Sequence, residues 1–163
     1  MSLLRCTALA WLLLAGSCAF ADDATPPANE ERPTPQRIGY SFEQPEILLR
    51  QRIFGLAHGV HLLVSSCLDK SEYAASTQAA YDTWYAKQHE AIATVRNALA
   101  EHHFGAAAAH THWQDIARVL GLKETVYPSL GAVSLPEACA TLPQALMQAR
   151  YDFTAQLDHA DDK

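Results

Sequence analysis

Eight histidines in a chain of 163 residues are the side chains most able to do chemistry, and six of them fall close together. His58 and His61 lie three residues apart, and His102, His103, His110 and His112 crowd into eleven residues. Histidines at i and i+3 on a helix, or in an H-x-H pair, can present imidazole nitrogens to one Zn²⁺ or Cu²⁺ ion. The metal reading therefore joins His102 or His103 to His110 and His112, with Glu101 or Asp115 completing the set. A plainer reading competes with it. His102 and His103 occupy the last turn of an expected helix, where imidazolium complements the helix dipole by about 0.3–1 kcal/mol and can cap free carbonyls. His110 and His112 then sit solvated in a loop and at a helix start. On a wheel centred on Val60, His58 points away from the apolar seam and His61 flanks it, which suits polar surface positions better than a shared site.

Other constellations are absent. There is no G-x-S-x-G elbow, P-loop, C-x-x-C or C-x-x-C-H, and His89-Glu90 is followed by Ala93 where H-E-x-x-H needs its second histidine. No carboxylate pair can be assigned as general acid and base from spacing. Trp84, Trp113, Tyr81 and Tyr85 fit a core, a partner surface or a small-ligand pocket; the first is the commonest use of aromatics at helical spacing. Tyr81 and Tyr85, on the flank of one helix, are the candidate partner surface.

The elements that must position these groups begin after a processing signal. Residues 1–21 carry Arg5, an apolar run from Ala8 to Ala15 and an A-x-A ending at Ala21, the pattern of a secretory signal peptide cleaved after Ala21 and directed to the periplasm or outside the cell. The run is too short for a transmembrane helix. Ala15, Gly16 and Ser17 before Cys18 lack the large aliphatic residue of a lipidation signal, which argues against a lipid anchor. Removing 21 residues leaves 142. Loss of Arg5 takes 12 basic residues to 11 against 18 acidic, a net charge of −7. Titrating all eight histidines near 6.5 would raise that to about +1, so a pH response is a further reading. Nucleic acid is excluded as the main partner, since it rewards clustered Lys and Arg.

Four prolines between 22 and 42 predict an extended, disordered leader, with one folded domain over 43–158 and an acidic tail over 159–163. Leu49, Ile53, Leu56, Val60, Leu63 and Cys67 recur at spacings of 4, 3, 4, 3, 4, the seam of a buried helix. Gly55 and Gly59 on its other side would let a neighbouring helix approach. A second helix of about 30 residues runs from Ser71 or Glu72 to His103 or Phe104, with Gly105 to stop it, Gln88 interrupting its apolar face and a break expected near Ser76 if anywhere. Thr111 and Gln114 resemble a capping box opening a short helix closed by Gly121. Residues 122–133 read as a loop. Ser134 with Glu137 opens a turn carrying Cys139, and Thr141 with Pro143 opens a last helix from Leu142 to about Leu157.

The fold class expected is all-α, a small bundle of about four helices, two long and two shorter, with one disulfide. After cleavage only Cys67 and Cys139 remain, and two cysteines in an oxidising compartment have one pairing. In the chain-entropy model such a bridge stabilises by roughly 4 kcal/mol. The functional expectation is a non-enzymatic secreted helical protein that binds a protein partner, of the inhibitor, immunity or adaptor type. Metal binding through the histidine cluster is the alternative, and an enzyme without a recognisable motif the third. No cofactor is expected unless the histidines hold Zn²⁺ or Cu²⁺.

Overall fold

The computed structural model describes residues 32–161, all within one compact unit. The expected signal peptide and the first half of the proline-rich leader lie outside these residues. Every regular element among them is helical: α1 (Pro45–Leu68), α2 (Ser71–Phe104), α3 (Trp113–Val119), the single turn α4 (Tyr127–Leu130), α5 (Leu135–Ala145) and α6 (Phe153–Asp161). The all-α class and the two long helices agree with the periodicity. The count of four is only approximate, because the second half of the chain divides into more, shorter pieces.

Pro45 opens α1 where a missing N–H costs nothing. Asp69 and Lys70 connect it to α2, which is unbroken through Ser76; that hydroxyl donates to the Tyr73 carbonyl at 3.0 Å. Gly105, at φ 54° and ψ −120°, ends α2, and the alanine run after it winds into a 3₁₀ segment, Gly105–His110. The two long helices pack as a hairpin. Their shared core holds Ile53, Phe54, Ala57, Val60 and Val64 against Trp84, Ala91, Val95, Leu99 and Phe104. On α1 the fully buried line is rotated from the expected seam: Ala57 and Val64 lie inside, whereas Leu56 and Leu63 are only partly buried.

Of the three expected capping signals, at Thr111, Ser134 and Thr141, two do not start a helix. Thr111 donates its hydroxyl to the Ala107 carbonyl at 3.1 Å instead of capping α3. His112 is the residue before the helix, and its N–H is accepted by Asp115 Oδ2 at 3.0 Å, so the reciprocal carboxylate is one residue beyond Gln114. Ser134 does cap α5, accepting the Glu137 N–H at 3.3 Å. That helix continues through Thr141 and Pro143 to Ala145, and the expected single helix from Leu142 to Leu157 does not form. Thr141 donates back to the Glu137 carbonyl at 2.9 Å, which suits a residue inside a helix rather than one at its start. After a 3₁₀ turn, Ala149–Tyr151, the chain restarts as α6, capped locally by Asp152 Oδ1 on the Ala155 N–H at 3.2 Å. α6 extends to Asp161, into the expected tail, and α4 interrupts the expected loop.

Cys67 and Cys139 form the disulfide, with Cα atoms 5.5 Å apart and both residues buried. It ties the end of α1 to α5. The order of the chain begins earlier than the start near Phe42 expected from the prolines: the Gln36 and Arg37 N–H groups donate to the His103 carbonyl (2.6 and 3.3 Å), and the Gly39 N–H donates to Val119 (3.0 Å). Residues 36–41 are thus a strap that supplies partners to the C-terminal carbonyls of α2. The glycine pair on α1 does not receive a closely packed helix. A Cβ at Gly59 would meet nothing within 4 Å, and both glycines line an apolar groove of about 450 Å³ facing α5. Among the described residues no helix is long and apolar enough to cross a membrane.

Candidate functional site

The histidines of the metal reading are placed apart in role. His103 is fully buried; its Nδ1 meets the Arg37 carbonyl at 2.9 Å and its Nε2 meets the Gln51 side-chain nitrogen at 3.2 Å. Since a carbonyl only accepts, Nδ1 carries the proton, and Nε2 accepts from Gln51. Gln51 also donates to the Gly39 carbonyl (3.1 Å) and accepts the Ser41 N–H (2.9 Å), so its amide is fully used. His102 Nε2 meets Ser41 Oγ at 2.9 Å. Burial holds both imidazoles below their ordinary pKa, reinforced at His102 by His103 and Arg37, and opposed at His103 by its bond to the Arg37 carbonyl. These two rings fasten the strap. His110 and His112 are exposed, and the Asp115 carboxylate engages the His112 N–H and Arg118. Among the described residues no group of three or more His, Cys, Asp or Glu side chains is placed to hold a metal ion.

A different set of residues converges elsewhere. Tyr81 and Tyr85, one turn apart on α2, stack at 5.5 Å between ring centroids with an interplanar angle of 18°. His61 of α1 sits against both, 5.9 and 6.4 Å away, and 5.1 Å from Trp113 of α3. Trp113 in turn stacks on the buried Phe54 at 4.0 Å. The rings form a continuous row across three helices, from the exposed Tyr85 to the core.

Trp113 is fixed by more than stacking. Its indole N–H donates to His58 Nδ1 at 2.9 Å, and His58 Nε2 meets the Lys123 carbonyl at 2.7 Å. Indole nitrogen only donates, so Nδ1 of the neutral ring holds the lone pair and Nε2 the proton. The relay Trp113 to His58 to Lys123 leaves no ring nitrogen of His58 unused, and it joins α3, α1 and the turn after α3. His61 differs: its Nε2 is buried with no hydrogen-bond partner, and burial, then the His58 charge, lower its pKa. Tyr81 is pushed up by burial, then by Tyr85 and Asp82.

Beside this row lies a groove of about 910 Å³. His58, His61 and Trp113 share its lining with apolar Leu62, Ala117 and Leu122, while Gln114, Arg118, Lys123 and Glu124 supply polar groups. The i, i+3 spacing of His58 and His61 was legible, but their meeting on one groove, contrary to separate surface positions, was not. The deciding partner, Trp113, is 55 positions away from His58. Of the candidate partner surface, Tyr81 is half-buried against the row and Tyr85 is exposed at its end. No protein-family model, curated protein or solved structure gives a significant match to this chain.

Proposed function

We propose that this is a non-enzymatic binding protein, exported by the leader 1–21 into an oxidising compartment after cleavage following Ala21, which engages a macromolecular partner through the face carrying Tyr81 and Tyr85. The single observation behind the reading is the stacked tyrosine pair, with Tyr85 41% exposed at the end of a packed aromatic row. Aromatic side chains anchored on a rigid helix bring large contact area at small entropic cost, which is why they are enriched at interface centres. The Cys67–Cys139 bridge supports the compartment, since such bonds persist where thiols are not kept reduced.

Affinity capture from periplasmic extract with the full chain and with a Tyr81→Ala/Tyr85→Ala variant tests the reading. A protein retained by the parent and lost by the variant, both giving cooperative melts, is the expected result. Identical retained proteins for both would overturn it.

A further inference from the structure

We propose that residues 36–41 are a latch that His103 holds only while its ring is neutral, so that mild acid frees this strap from the open end of the α1–α2 hairpin while the bundle stays folded. This adds a conformational response to the partner reading and does not depend on it. The strap is held by polar bonds far more than by apolar burial. Ile38 within it and Phe42 beside it are 80% and 76% exposed, and of its apolar side chains only Tyr40 packs against the core. What fastens it converges on the end of α2 and on Gln51. The Gln36 and Arg37 N–H groups donate to the His103 carbonyl, the Arg37 guanidinium donates to the His102 carbonyl at 2.8 Å, Ser41 Oγ meets His102, and the Gln51 amide engages Gly39 and Ser41.

That bond pattern admits one protonation state of His103. Nδ1–H is given to the Arg37 carbonyl at 2.9 Å, and the Nε2 lone pair takes an N–H of Gln51 at 3.2 Å. A proton on Nε2 would set donor against donor. Gln51 cannot turn its amide over to accept, because the same turn would aim its NH₂ at the Ser41 N–H and its oxygen at the Gly39 carbonyl. An imidazolium therefore costs either its own buried contact or both Gln51 bonds to the strap, and a buried polar group left without its partner is destabilising. Release removes the conflict: with Gly39 and Ser41 gone, Gln51 is free to turn and accept from the charged ring. His102 differs, since the Ser41 hydroxyl can donate to a neutral Nε2 or accept from a protonated one.

The surroundings do not offset the charge. From the strap come the Arg37 cation and the neutral Tyr40 phenol; from α2, His102 lies 4.8 Å away ring to ring and Glu101 is exposed. α1 offers the neutral Gln51, and its Arg50 is paired to Glu46. Gly105–Ala109 carry no titratable group, and Asp115 and Arg118 of α3 are paired to each other. Among the described residues no carboxylate forms an ion pair with either imidazole. Burial lowers the His103 pKa most; the bond to the Arg37 carbonyl raises it, and the Arg37 charge lowers it again. The bundle does not need the strap to stay closed, since Cys67 ties the far end of α1 to α5.

Amide hydrogen exchange of the disulfide-intact chain, corrected at each pH for the intrinsic rate, tests the latch. Between pH 7.5 and 5.0, protection at Gly39 and Ser41 should fall about tenfold to thirtyfold, the upper figure being the limit for one proton on an imidazole of ordinary pKa about 6.5. Val60 and Leu99, buried in the core, should stay far better protected than the strap at both pH values, with far-ultraviolet circular dichroism unchanged. His103→Gln, which cannot titrate, should abolish the pH dependence at Gly39 and Ser41 whether the strap is then held or loose. His102→Gln should keep it. Strap protection that does not change with pH, strap and core amides exchanging together at pH 5.0, or a fall of the same size in His103→Gln would overturn the proposal. None of these outcomes depends on Tyr81 or Tyr85, so they are read separately from partner capture.

Discussion

The side-chain carbonyl of Gln88, buried in the middle of α2, accepts the backbone N–H groups of Phe153 at 2.8 Å and Thr154 at 3.1 Å. A residue 65 positions away in sequence thereby caps α6, whose first N–H groups have no partner inside their own helix. Phe153 itself is fully buried and edge-on to Trp84 at 5.6 Å, so its N–H has no access to water if Gln88 is removed.

Gln88→Leu should therefore destabilise the protein by about 1–3 kcal/mol, the cost of leaving buried donors unsatisfied. Urea unfolding measures it, and hydrogen exchange at Phe153 and Thr154 should accelerate well beyond that of α1. An unchanged midpoint would contradict the tertiary cap.

Loss of the disulfide by Cys67→Ala/Cys139→Ala should cost roughly 4 kcal/mol in the chain-entropy model for a separation of 72 residues. Because both residues are buried, part of the loss will be packing. Comparing the double variant with the reduced parent isolates the two contributions: the variant should melt at or below the reduced parent.

Gly105→Ala places a side chain at φ 54° and ψ −120°, a conformation that L-residues rarely adopt, with its Cβ 2.6 Å from Gln36 Nε2. Backbone strain of this kind costs about 1–3 kcal/mol. The clash with the flexible end of Gln36 can be relieved and the strain cannot. A Gly105→Ala/Gln36→Ala chain should accordingly regain only part of the lost stability in a double-mutant cycle. Full recovery would place the whole cost in the strap.

Stability should fall in mild acid. His61, His102 and His103 all have folded pKa values below the ordinary imidazole value of about 6.5, chiefly through burial. As pH drops through 6.5 the unfolded chain takes up protons that the folded chain resists, so the contribution is complete above that pH and declines towards the lower folded values. Urea midpoints at pH 7.5 and 5.5 should show the loss, and His103→Gln should flatten it. A higher midpoint at pH 5.5 would reverse the sign and defeat the account.

The neutral His58 ring should be protonated at Nε2, because Trp113 donates to Nδ1. Long-range proton–nitrogen NMR reports the tautomer directly. Trp113→Phe keeps the stacking on Phe54 and removes the donor, and should cost about 1 kcal/mol, while the Lys123 carbonyl still holds the His58 proton at Nε2. A parent ring protonated at Nδ1 would dissolve the relay.

The sequence by itself determined what depends on local rules. Apolar spacing of three and four placed α1 and α2 close to their ends, Gly105 stopped α2 by its positive φ, Ser134 capped α5, and the two cysteines outside the expected leader had one pairing. Each of these is decided within a few residues, or by elimination. What only the tertiary structure decided are the pairings of polar groups across long separations. Gln88 was legible as an interruption of an apolar face, not as a cap for α6. His102 and His103 were legible as imidazoles near one another, not as the fastening of a strap through Gln51 and Ser41. His58, His61 and Trp113 were three separate signals until α3 folded onto α1. A buried polar side chain needs a partner, but its sequence neighbours do not say which element brings one; that is set by packing, and packing made the groove.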